Sequence, residues 1–196
     1  AIEMMDDQIG RLWSAIQYRE KNFKEDWVIY ITTDHGRSAG NGKGHGGQSD
    51  RERATWIVTN ARGLNNYFKT GNPGVVDIMP SIASFLNITI PRECLMEIDG
   101  IPLTGSISAT SANATLENGK LRVTWKAVAE KGNVKIWLAT TNYFKEGGKD
   151  EYSVVATAPL AKQEVVIDVS NTPSSFYKVA IEAPENILNR WIVEGK

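Results

Sequence analysis

The spacing of the apolar residues changes midway along this chain, and that change constrains the fold more than any other feature. Near the start, Ile2, Met5, Ile9, Leu12 and Ile16 recur at helical spacing, which predicts one apolar stripe of an amphipathic helix. In the second half, apolar residues alternate with polar ones in short runs, as in strands with one buried face. The sequence therefore predicts two unlike parts, residues 1–103 and residues 107–196.

The first part combines helix patterns with short apolar strands. The run from Trp27 to Thr33 is rich in β-branched and aromatic residues and lacks polar alternation, which is typical of a strand buried on both faces in a parallel sheet. A second strand is expected at 55–59. Residues 75–86 predict a helix, in which Pro80 marks either a kink or a later start. We expect an α/β unit in which helices cover a parallel sheet.

The second part shows period-two alternation in several short runs separated by turn residues. Clear examples run from Leu121 to Ala127, from Val134 to Leu138 and from Val165 to Val169. This pattern predicts an antiparallel β-sandwich of the fibronectin-type or Ig-like kind. Trp125 and Trp137 fall in phase with their apolar neighbours, which favours positions in the core.

Composition limits the function classes. The formal net charge is -1, so nothing favours nucleic acid or an anionic membrane surface as a partner. The one cysteine, Cys94, excludes a disulfide within the chain. No apolar run has the length of a membrane span.

The residues suited to chemistry concentrate in the loop from 34 to 53, which holds both histidines of the chain. Asp34 and His35 directly follow the apolar strand, and ligands bind beyond such strand ends in open α/β sheets. His45 lies among glycines that let the chain fold back. Carboxylate oxygen and imidazole nitrogen suit Zn²⁺ or a similar ion. Asp-His-Gly alone is usually an ordinary turn; its position and the second histidine favour a metal site.

The order of these motifs resembles the alkaline phosphatase superfamily, most of all its nucleotide pyrophosphatase/phosphodiesterase and sulfatase-like branch. The resemblance covers residues 1–103 and rests on four segments in order: Asp6 to Leu12, Thr33 to Gly36, Gly44 to Gly47, and Val76 to Ile82.

This resemblance implies a metal-dependent phosphoric or sulfuric ester hydrolase with two divalent ions, expected to be zinc. Asp34 and His35 would bind the ion that also holds the nucleophile, and His45 would bind the other. Arg37 would contact the anionic substrate or, alternatively, face solvent. Asp77 and Pro80 are interpreted as structural.

One departure from the family concerns catalysis. Its Thr or Ser nucleophile and its first metal-binding Asp precede the helix that opens this chain, and Thr32 and Thr33 are rejected as substitutes because they belong to the strand. The chain is therefore expected to be the C-terminal part of such an enzyme, inactive alone, with the N-terminal half of the same protein as its partner. The resemblance implies a periplasmic or extracellular location.

An alternative function remains open for the second part. The predicted sandwich resembles accessory modules that bind carbohydrate or protein, which would leave the α/β part as a non-catalytic remnant. An exposed row of aromatic side chains on one face of the sandwich would favour this alternative.

Overall fold

The structure, a computed structural model, describes residues 2–193. Two short strands and five helices precede a sandwich of seven strands. The helices are α1 (Ile2–Phe23), α2 (Asp50–Arg53), α3 (Asn66–Thr70), α4 (Ile78–Phe85) and α5 (Arg92–Leu95); the strands are β1 (Tyr30–Thr32), β2 (Ile57–Thr59), β3 (Ala109–Glu117), β4 (Lys120–Ala127), β5 (Asn133–Ala139), β6 (Ser153–Pro159), β7 (Glu164–Asp168), β8 (Phe176–Glu182) and β9 (Ile187–Val193). Further 3₁₀ turns lie at Val75–Asp77, Tyr143–Glu146 and Leu160–Lys162.

Helix α1 forms where the apolar stripe predicts it, but none of its residues is buried. Ile2, Met5 and Leu12 of the stripe are all exposed. Most helical stability in proteins comes from packing an apolar face against other elements. Within residues 2–193, no residue of the apolar stripe of α1 is buried in this way. In these residues no helix is long and apolar enough to cross a membrane.

The predicted parallel sheet is wrong. Strands β1 and β2 pair antiparallel, with Tyr30 opposite Thr59 and Thr32 opposite Ile57, and no strand pair within residues 2–193 is parallel. The amide side chain of Asn60 extends this pairing: it accepts from the Ile29 N–H at 2.9 Å and donates to the Trp27 carbonyl at 3.0 Å.

The reason for this error is that an apolar run reports burial and not strand direction. The loop after β1 carries only the short helix α2 and brings the chain back beside β1 in the opposite sense, rather than crossing over as a parallel pair requires. The expected burial on both faces is also absent, since β1 is only half-buried and Trp27 is exposed.

The second part folds into two antiparallel sheets packed face to face. One sheet has the order β3-β4-β7 and the other the order β6-β5-β8-β9. Alternate residues of β4 and β5, including Leu121, Val123, Val134 and Ile136, are fully buried between the sheets. The predicted antiparallel sandwich agrees with this architecture. Trp125 is buried in the core as predicted, and its indole N–H donates to the Leu160 carbonyl at 2.7 Å.

Tyr177 at the start of β8 closes one corner of the sandwich. Its hydroxyl donates to the Thr172 carbonyl at 2.7 Å and accepts from the Ser174 N–H at 2.9 Å. A tyrosine that bonds back to the preceding corner is a feature of Ig-like sandwiches.

A buried carboxylate joins α4 to the chain that leads into the sandwich. Asp77 accepts from the N–H groups of Gly74 at 2.7 Å and Ile101 at 2.8 Å, and from the Tyr67 hydroxyl at 3.1 Å. Burial raises the pKa of Asp77, and these three donors oppose that rise. Asp77 is therefore a structural brace, and Pro80 lies in the first turn of α4, where helices tolerate proline.

A buried ionic cluster connects the segment after α5 to the sandwich. The Lys178 ammonium pairs with the carboxylates of Glu97 and Asp150, and all three side chains are almost fully buried. Nearby, Arg92 stacks 4.2 Å from the Trp137 ring and pairs with Glu182 at 2.6 Å. The proposed division into residues 1–103 and 107–196 is thus crossed by polar contacts from residues 92–97.

Candidate functional site

The candidate site lies in the loop between β1 and β2. Residue 36 must be glycine because a Cβ atom built there would lie 1.9 Å from the Arg51 carbonyl oxygen. The Gly36 N–H donates to the Glu52 carbonyl at 2.8 Å, which holds the start of the loop against α2. Gly36 therefore fixes the direction in which Asp34 and His35 leave β1.

His35 has one ring nitrogen occupied and the other directed toward a carboxylate. Its Nδ1 lies 2.7 Å from the Gly36 carbonyl oxygen, which can only accept, so Nδ1 carries the proton. Nε2 lies 3.3 Å from Oδ2 of Asp34. The other carboxylate oxygen, Oδ1, accepts from the His35 N–H at 2.9 Å. The Asp34 carboxylate therefore lies against the His35 residue on two sides.

His45 returns to this point from the far end of the loop. Its ring stacks on the His35 ring, with 4.7 Å between centroids and 21° between planes. His45 is exposed and His35 is half-buried. The structure therefore brings together Asp34, His35 and His45, the three residues predicted as metal ligands.

Glu52 holds the return of the loop, a role that the sequence interpretation missed. It accepts from the Ser49 hydroxyl at 2.6 Å and from the Gly47 N–H at 3.1 Å, while the Ser49 hydroxyl accepts from the Glu52 N–H at 3.3 Å. The Ser49 hydroxyl is the main cause that lowers the pKa of Glu52, and the charge of His45 contributes. Ser-x-x-Glu is a capping-box signature, so the sequence held this signal within the predicted loop from 34 to 53.

Arg37 stabilises the loop backbone rather than pointing freely outward. Its Nη1 donates to the Lys43 carbonyl at 3.2 Å, across the neck of the loop. The side chain remains exposed, and its other nitrogens make no hydrogen bond within residues 2–193, so they are available to an anion. Thr32 does not take part in the site, because its hydroxyl donates to the Thr33 carbonyl at 3.0 Å.

The donor set suits zinc chemically but is incomplete as a cage. Within residues 2–193, no group of three or more His, Cys, Asp or Glu side chains is already arranged to hold a metal ion. The two imidazoles face each other instead of directing their nitrogens at one centre. These three residues therefore do not form a complete metal site within residues 2–193.

Comparisons with known proteins give little further information. No protein-family model matches the chain, and no curated protein matches it. A solved structure, the spore cortex lytic enzyme SleM of Clostridium perfringens, is similar over 47% of this chain, with 17% identity and a TM-score of 0.33. The chain spans 29% of the length of that protein. A similarity of this extent establishes neither a family nor a function.

Proposed function

We propose that this chain is the C-terminal part of a two-metal hydrolase that acts on a phosphoric or sulfuric ester. In this proposal Asp34, His35 and His45 are metal ligands, and the nucleophile belongs to the N-terminal part of the same protein. The observation that carries the proposal is the return of His45 onto His35, beside the Asp34 carboxylate. An ordinary polar turn has no need to stack the two histidines of the chain on each other.

The hydrogen bonding of His35 supports a ligand role. Metal-bound histidines usually donate their second ring N–H to a carbonyl or carboxylate, which orients the free nitrogen toward the metal. The contact of 2.7 Å between Nδ1 of His35 and the Gly36 carbonyl oxygen is of this kind. The bound ions would polarise the ester and stabilise the charge of the transition state. In the assembled site this chain would hold the ions, and Arg37 would contact the anionic group of the substrate.

Uncovered apolar surface beside β1 supports a missing partner segment. A groove of about 580 Å³ runs between Trp27, Val28 and the apolar side of α4, where Ile82 and Leu86 are exposed. A second groove of about 240 Å³ separates α1 from β1 and β2, lined by Ile9, Ile31 and Val58 among others. Exposed apolar surface of this kind is unusual unless another chain segment covers it. We propose that the N-terminal part of the same protein covers it.

The alternative of a binding module gains no support from Trp125 and Trp137. Trp125 is buried, and Trp137 is covered by the Arg92 guanidinium and donates to Glu182 at 2.8 Å. These two side chains therefore form no exposed aromatic row.

Cobalt titration tests the proposed ligands. Co²⁺ replaces Zn²⁺ at nitrogen and oxygen ligands and gives visible absorption that reports the coordination. We expect weak, saturable binding by the chain, lost in His35→Ala and in His45→Ala and reduced in Asp34→Asn. Asp50→Asn is the matched control, because Asp50 is an exposed acid of the same loop that pairs only with Arg53 within residues 2–193. Equal binding by the wild type and both histidine variants would refute the assignment.

A further inference from the structure

An open cavity of about 460 Å³ lies where the first part of the chain meets the last strand of the sandwich. Its lining includes Tyr67, Asn72, Asp99, Arg190 and Trp191. It is formed by neither the histidine loop nor the apolar grooves beside β1. Concave surfaces between two structural units are common places for ligand sites.

Trp191 is the apolar feature of this cavity. Half of its surface is exposed, at 50%, although it belongs to strand β9 of the sandwich. Two contacts hold the indole in place: the Phe176 ring meets it edge to face with 5.8 Å between centroids, and the Lys178 ammonium lies 5.3 Å from its centroid. Lys178 is itself fixed by Glu97 and Asp150. These two contacts orient the exposed indole.

Polar groups of both kinds line the same cavity. Arg190 uses Nη1 to donate to the Asn189 carbonyl at 2.8 Å, which leaves its remaining N–H groups available. Asp99 is exposed and takes part in no ion pair within residues 2–193. The amide of Asn72 adds a donor and an acceptor. Asp77, which is buried, also belongs to the lining, so two acids and one base border the cavity and its formal charge does not favour an anionic ligand.

From this combination we propose that the cavity is a binding site for a hexopyranose unit of a neutral polysaccharide. The C–H face of a pyranose ring packs on an aromatic face, and its hydroxyl groups both donate and accept hydrogen bonds. Trp191 supplies the face, Asp99 accepts from hydroxyls, and Arg190 donates to them. A strongly anionic polymer would be repelled by Asp99, and a fully apolar ligand would leave both charges unpaired.

Affinity electrophoresis of the whole chain tests this proposal. Native gels would contain galactomannan, laminarin or xyloglucan as neutral polymers, and polygalacturonate as the acidic one. We expect at least one neutral polymer to retard the wild type, and Trp191→Ala to weaken that retardation by about 10-fold or more. Trp56→Ala is the matched control, because Trp56 is 51% exposed and lies outside the cavity.

A second variant separates binding from folding. Asp99 is exposed, so Asp99→Ala leaves the core intact and is expected to weaken retardation while the melting temperature stays unchanged. The proposal is overturned if no neutral polymer retards the wild type, if only polygalacturonate does, or if Trp191→Ala and Asp99→Ala bind as the wild type does.

Discussion

The imidazole of His45 stacks on that of His35, 4.7 Å away between ring centroids, and Asp34 lies 3.3 Å from the Nε2 atom of His35. His35 thus contacts both other predicted ligands: Asp34, its neighbour in sequence, and His45, from the far end of the loop. This arrangement depends on Gly36, which has no room for a Cβ atom, and on Glu52, which accepts from the Gly47 N–H.

Removal of the Glu52 carboxylate should loosen the loop without touching a proposed ligand. Glu52→Ala loses the bonds to Ser49 and Gly47, so His45 is no longer held against His35. We expect cobalt binding to weaken by about 10-fold, the range typical of groups that orient metal ligands. Arg51→Ala, an exposed neighbour in α2, should bind like the wild type. Unchanged binding by Glu52→Ala would show that the loop holds itself.

The chain alone should not hydrolyse esters. Neither threonine before the histidine loop is suited to be the nucleophile, since the Thr32 hydroxyl donates to the Thr33 carbonyl and both threonines belong to or adjoin β1. The measurement is release of nitrophenol from a nitrophenyl phosphodiester with added zinc. Metal-dependent turnover that disappears in His35→Ala would contradict the assignment of the nucleophile to another part of the protein.

The uncovered apolar surface beside β1 should drive association of the chain in solution. Val58 and Ile82 line the two grooves and are 56% and 38% exposed. Charged replacements, Val58→Lys and Ile82→Lys, should increase the monomer fraction measured by light scattering, because they disfavour contact between apolar surfaces. Val166→Lys is the control on the sandwich, where Val166 is 54% exposed. A wild type that is strictly monomeric would refute this prediction.

The sandwich should be more stable with the segment before it than without it. Residues 107–196 retain Asp150 and Lys178, but they lack Glu97 and the buried Met96 and Ile101. Loss of one partner of a buried ion pair is strongly destabilising. We expect residues 91–196 to melt cooperatively at a higher temperature than residues 107–196. Equal melting temperatures would show that the sandwich core ends at residue 107.

The ion cluster should also make stability depend on acid. Burial tends to raise the pKa of Asp150, but donors from Lys178, the Thr141 hydroxyl and the N–H groups of Tyr143 and Phe144 outweigh it and lower the pKa to about 2. The pKa of an ordinary Asp in the unfolded chain is about 3.9. The ionised Asp150 therefore stabilises the fold above about pH 4, and this stabilisation is lost as the pH falls toward about 2. Its size is on the order of 2 kcal/mol.

Urea unfolding between about pH 5 and about pH 2 measures this loss of stability. The wild type should lose more stability across the window than Asp150→Asn, whose side chain does not titrate there. The exposed acid Asp34 supplies the matched control, Asp34→Asn, which should keep the acid dependence of the wild type. A parallel loss of stability in the wild type and Asp150→Asn would assign the acid dependence to other carboxylates.

The sequence predicts the local features of this molecule better than its tertiary arrangement. Helix α1 and the sandwich strands follow from apolar spacing, because that spacing is the direct consequence of burying one face. The direction of β1 against β2 does not follow, since the apolar run of β1 is the same in either sense. The apolar stripe of α1 likewise did not show that none of its residues would be buried.

The candidate residues divide in the same way. Asp34, His35 and His45 were identified because residue type and glycine spacing are visible in the sequence. Glu52 was missed although its capping signature was present. Trp191 is half-exposed in a cavity that Asn72 and Asp99 also line, and these residues are distant in sequence, so local spacing did not indicate the cavity.

Anomalous diffraction at the zinc edge, from crystals of the chain soaked in zinc, tests the central claim most directly. The account predicts a peak about 2.0–2.1 Å from Nε2 of His35, with Asp34 at a similar distance, and His45 at this peak or at a second one about 3.5–4 Å away. Zinc bound elsewhere, while His35 and His45 stay stacked without it, would contradict the account.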